Sequence, residues 1–109
     1  MKKLTLVVLL ALVMFVGSVT LVSAQIYGPV FRVEYYTDRA GADIMPGFSA
    51  SLGGCMNSCA SSSQCVAFTW VDVNQQPPNY DNSRPLCWLK DSVPGKRRNE
   101  GMVTGVRED

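Results

Sequence analysis

Ser51-Leu52-Gly53-Gly54-Cys55-Met56-Asn57-Ser58-Cys59 and, beginning six residues after Cys59, Cys65-Val66-Ala67-Phe68-Thr69-Trp70-Val71 carry two different periods. In the first stretch Leu52, Cys55, Met56 and Cys59 fall at i, i+3, i+4 and i+7, which places all four on one face of a helix. Ser49 or Ser51 is available as its cap. Gly53 and Gly54 each cost about 1 kcal/mol relative to alanine in a helix, a deficit that a disulfide from the same face offsets. The second stretch is β-branched and aromatic with little polar interruption, as a central strand requires.

Outward from these two, residues 30–36 alternate Phe31, Val33 and Tyr35 with Arg32, Glu34 and Tyr36, the period of a strand with one buried face. Residues 37–46 hold Asp38, Gly41, Asp43 and Pro46 and read as a turn, in which Asp38 and Asp43 are turn residues rather than paired acids or calcium ligands. Residues 72–85, with Pro77, Pro78 and several amides, read as a long exposed loop. Residues 86–90 form a second short strand and 102–107 a last one. Between them, 91–101 reads as a polar loop carrying Lys96-Arg97-Arg98. The pattern describes an α+β domain, one helix packed on a small antiparallel sheet.

The chain begins Met1-Lys2-Lys3, continues through an apolar stretch to Val16, and reaches the small-residue sequence Val22-Ser23-Ala24. This is the order of a secretory signal over residues 1–24. The expected product is a single domain of residues 25–109, secreted or periplasmic, with no stable membrane anchor after cleavage. Much of the mean hydropathy of +0.07 belongs to that segment. Without Lys2 and Lys3, eight Lys and Arg stand against nine Asp and Glu, so no basic field draws the domain to nucleic acid. Histidine is absent, which removes the commonest general base and metal ligand. Neither an enzyme nor a metal or other cofactor is expected. Cys55, Cys59, Cys65 and Cys87 form an even set in a short exported chain and imply two disulfides, with three pairings open. So small a domain needs such staples.

Taken together, Asp38-Arg39-Ala40-Gly41-Ala42-Asp43, the helix stretch with Cys55 and Cys59, Cys65-Val66-Ala67-Phe68-Thr69-Trp70, Cys87-Trp88-Leu89-Lys90 and Val103-Thr104-Gly105-Val106 resemble the PAN/apple domain family in its short, four-cysteine type. The resemblance implies a helix lying across a curved antiparallel sheet. It also favours the pairing Cys55 to Cys87, joining helix to a distant strand, and Cys59 to Cys65, tying the end of the helix to the next strand. It implies a noncatalytic recognition module for carbohydrate or protein.

Ligand contact is expected on the two irregular segments, because the helix and sheet of so short a domain are committed to its core. Tyr80, Arg84, Lys96, Arg97 and Arg98 combine one ring with four cations, a set suited to an acidic glycan or an acidic protein face. Trp70 is a candidate platform for a sugar ring, while Trp88 is assigned to the core. The stem of Lys90 is expected to pack and its charge to be exposed. The partner is then a glycan or an extracellular or periplasmic protein, met by a monomer. The competing expectation is a stand-alone secreted interaction or inhibitor protein that inserts the 72–85 loop into its partner.

Overall fold

The computed structural model describes residues 28–109. The signal segment expected over residues 1–24 lies outside them. Among the described residues no helix is long and apolar enough to cross a membrane.

Among the described residues, five strands and one helix follow in the order β1 (Phe31–Asp38), β2 (Phe48–Ser49), α1 (Leu52–Ala60), β3 (Ala67–Val71), β4 (Leu86–Lys90) and β5 (Arg97–Arg107). Helix α1 starts where Ser51, in an extended conformation, accepts a hydrogen bond from the Gly54 amide through its side chain. It ends where the Ser61 amide donates to Asn57. A nine-residue helix is marginal alone. Here Cys55 and Cys59, both fully buried on its inner face, bond Cys87 of β4 and Cys65 just before β3. The Arg107 guanidinium closes the other end, donating to the Ala60 and Cys65 carbonyls, where a cation meets the negative end of the helix.

The sheet is antiparallel throughout, in the order β1-β5-β3-β4-β2. β3 is its centre, as its apolar run requires. Strand alternation sends Phe68 and Trp70 of β3, with Cys87 and Leu89 of β4, toward α1. There they join Cys55, Cys59 and Cys65 in one core, with Phe31, Phe48, Leu52 and Met56 packed at its margin. The opposite face receives Thr69, Val71, Trp88, Lys90, Met102 and Thr104.

The curvature implied by the family resemblance is corrected. The sheet is open, neither curled nor closed, with β1 and β2 as separate edges. Closure would need its two edges to pair, but β1 pairs with β5 and the two-residue β2 with β4, and neither edge meets the other. Among the described residues the register breaks between β1 and β5, where Tyr36 alone stands against residues 99–102 of β5. At that bulge Tyr36 adopts a left-handed backbone, φ 56°, so Tyr35 and Tyr36 both stand exposed instead of alternating. The 91–101 loop is corrected as well, since Arg97 and Arg98 already belong to β5 and pair with Asp38 and Thr37.

The end of β1 is pinned by a two-pronged ion pair. Arg39 donates to both carboxylate oxygens of Glu34 (2.7 and 3.0 Å), and to the Pro94 carbonyl beyond. The Arg39 hydrogen bond, outweighing burial, holds the Glu34 carboxyl below the usual carboxylate range. A group whose folded pKa is depressed contributes stability above its unfolded value, near 4.3, and loses it as pH falls through the folded value. Urea midpoints followed from neutral pH into that acid range should therefore show Glu34→Gln less stable by about 2 kcal/mol at neutral pH, with the gap closing on acidification. A gap unchanged by pH would remove Glu34 from the acid response.

A candidate binding cleft opposite the helix

On the face away from α1, the connection 39–43 and the 72–85 loop rise on either side of the sheet and enclose a cleft of about 270 Å³. Its floor is Thr69, Val71, Trp88 and Met102, and its walls bring in Gln76, Pro77 and Tyr80. Four charged side chains, Asp38, Asp43, Lys90 and Arg97, stand around it.

Asn82 is the hub that holds the long loop in a compact shape. Its side-chain oxygen accepts from the Gln76 amide, its side-chain nitrogen donates to the Pro77 carbonyl, and its own carbonyl accepts from Asn74. Asn74 takes a left-handed backbone conformation, which asparagine tolerates. The Trp88 indole N–H donates to the Gln76 side-chain oxygen (2.7 Å), and the Tyr80 ring meets the indole edge to face at 5.8 Å. Tyr80 nevertheless remains 44 % exposed. Asp81 turns away from the cleft. Bonds from Ser83 and Arg84 draw its carboxyl down to about 2.

The ions are paired. Lys90, 2 % exposed, donates to Asp43 Oδ1 (2.6 Å) and to the Gly41 carbonyl (2.8 Å). This corrects the expectation of an exposed Lys90 charge, and it makes Asp43 the counterion of a buried ammonium rather than a turn residue only. Burying the ammonium without that carboxylate would be costly. Asp38, also expected in a turn, is the last residue of β1. Its Oδ2 is buried and accepts from Arg97 Nε (3.0 Å) and Nη2 (2.8 Å), whose side chain lies largely in solvent at the rim. Beneath the cleft the Thr69 and Thr104 hydroxyls bond each other at 2.9 Å.

Of the residues singled out from the sequence, the cleft therefore gathers Tyr80 and Arg97. Trp70 faces the helix side, and its indole N–H donates to the Ala50 carbonyl, so it holds the entry to α1. Arg84 is engaged by Asp81 on the surface. Lys96 and Arg98 lie with Tyr35, Tyr36 and Thr37 in a separate shallow depression, which shares Arg97 with the cleft. The assignment of Trp88 to the core is corrected, since it lies on the sheet face opposite the core and lines the cleft floor, while Trp70 packs on the core. Asp38, Asp43 and Lys90 had no local signal for the cleft. Asp38 meets Arg97 across 59 positions, and Asp43 meets Lys90 across 47.

No group of three or more metal-ligating residues occurs among the described residues. Comparison with curated proteins and with solved structures gives no significant match. The family model of the PAN domain matches residues 37–90, from the bulged end of β1 through α1 to the end of β4. That match spans all four cysteines and both walls of the cleft. With a helix stapled by disulfides to an antiparallel sheet, the chain belongs to the PAN/apple domain family, whose domains are noncatalytic interaction modules.

Proposed function

We propose that the protein is an exported recognition module that receives carbohydrate or protein in the cleft opposite α1. The observation that carries this reading is the cleft itself. A ring 44 % open to solvent is held in place by an indole, beside buried ions that the core does not require. Polar groups converging on a concave site fix a ligand's orientation. Export rests on the 1–24 pattern and on disulfides, which persist in oxidising compartments. The fold-back of residues 72–85 onto Trp88 makes that loop a wall of the site, which favours this reading over insertion of the loop into a partner.

The test is a screen of the disulfide-bonded protein against a broad glycan set and a library of exported proteins, repeated with three variants. Tyr80→Ala should weaken capture of the ligand. Arg84→Ala and the double change Lys96→Ala/Arg98→Ala should leave it intact. The reverse pattern, with circular dichroism unchanged, would place recognition on the basic surface instead.

A further inference from the structure

We infer that the cleft is built for an uncharged, polyhydroxylated ring, a neutral sugar residue, rather than for the acidic glycan that the local run Lys96-Arg97-Arg98 suggests. The inference rests on the reading of the cleft as the binding site and goes beyond it by naming the ligand class. Its ground is charge balance. The charged side chains around the cleft are two carboxylates, Asp38 and Asp43, and two cations, Arg97 and Lys90, and each cation is already joined to one carboxylate. An anionic ligand that drew Lys90 away would leave Asp43 without its ammonium. A cationic ligand that captured Asp43 would leave the ammonium buried and unpaired.

What the pairs leave unspent suits hydroxyl groups. Asp38 accepts through Oδ2 and Asp43 through Oδ1, so a second oxygen on each carries no hydrogen bond from the described residues. Lys90 uses two of its three N–H donors, on Gly41 and Asp43. The Tyr80 hydroxyl makes no hydrogen bond with the described residues, and one edge-to-face contact with Trp88 does not consume both faces of its ring. An alcohol both donates and accepts, so it completes these groups without disturbing either ion pair. A ring with an apolar C–H face also has Tyr80 to lie against.

Size agrees with this class. At a water's share of about 30 Å³, a cleft of about 270 Å³ holds on the order of nine waters, room enough for one saccharide ring.

The experiment titrates the disulfide-bonded protein with neutral methyl glycosides (glucose, galactose, mannose, N-acetylglucosamine) and with glucuronate, sialic acid and a sulfated disaccharide. Amide shifts are followed at low and moderate salt. At least one neutral glycoside should move Asp38, Asp43, Tyr80 and Lys90, with an affinity changed less than about twofold by salt. Tyr80→Ala should weaken it about three- to tenfold. Asp38→Asn removes one carboxylate and leaves Arg97 unbalanced, so it should raise binding of the acidic sugars and make that binding salt-sensitive. Preference of the unmodified protein for acidic sugars, or no shift with any neutral glycoside, overturns the inference. If an acidic sugar or a captured protein then moves the same cleft residues, the cleft survives as the site and only the ligand class falls. If shifts gather on Tyr35, Tyr36, Lys96 and Arg98, both readings fall together.

Discussion

The double variant Cys55→Ala/Cys87→Ala is expected to lose about 4 kcal/mol of folding stability, and Cys59→Ala/Cys65→Ala only about 2 kcal/mol. Both bonds lie in the same core, and all four sulfurs are fully buried, so trading sulfur for hydrogen costs similar packing in either pair. What differs is the loop each bond closes. Cys55 and Cys87 are separated by 32 positions, Cys59 and Cys65 by 6, and in the chain-entropy account the cost of an open loop grows with the logarithm of its length. The longer bond also crosses elements. It fixes the middle of α1 to β4, which pairs with both β3 and β2 and forms the floor of the cleft through Trp88 and Lys90. Urea unfolding of both variants at a common m-value measures the contrast. Equal losses, or a larger loss from the short loop, would show that packing of the sulfurs rather than loop closure sets their contribution.

Which parts of this architecture could be read from the chain follows from the range of each signal. The period of Leu52, Cys55, Met56 and Cys59 is local, and it marks both α1 and the face that its disulfides use. The apolar run from Ala67 to Val71 is local too, and it lies at the centre of the sheet. Strand β5 was half legible. Its apolar end, Met102 to Val106, stands out, whereas Arg97 and Arg98 read as loop because their reason for being strand lies in Asp38 and Thr37, far away in sequence. Edge strand β2 is too short for any period. The helix, the centre of the sheet and the four cysteines therefore announce themselves, while the cleft does not. It depends on Asp38 with Arg97, Asp43 with Lys90, and Gln76 with Trp88, pairs that only the folded topology creates. Composition marks 72–85 as loop but is silent on its fold-back, which rests on the bonds of Asn82 inside the loop and on the contacts of Gln76 and Tyr80 with Trp88. A charge run is conspicuous in sequence because its members are adjacent. Balanced charges brought together from four segments leave no such trace.

Gly105→Ala should destabilise the protein by about 3 kcal/mol, although propensity alone predicts a gain of about 0.5 to 1 kcal/mol for replacing glycine within a strand. Steric contact decides the sign. Gly105 pairs directly with Phe68 across β5 and β3, and a β-carbon there would stand 2.1 Å from one ring carbon and 2.4 Å from another. The ring has no room to retreat. Phe68 is fully buried, held edge to face by Phe31 at 5.5 Å and surrounded by the disulfide cluster. Gly101, on the same strand, supplies the control. A β-carbon there would also come within 2.1 Å of a neighbour, but that neighbour is the side chain of Gln75, an exposed residue free to swing into water. Gly101→Ala should therefore change stability by no more than about 0.5 kcal/mol. Adding Phe68→Leu to Gly105→Ala shortens the obstructing side chain, so the double variant should be more stable than the sum of the two single losses predicts, a coupling that urea midpoints resolve. Additive losses, or a Gly105→Ala variant as stable as its parent, would mean that β5 shifts away from β3 to admit the methyl group, and that the closeness of this strand pair is not what fixes the ring of Phe68 in the core.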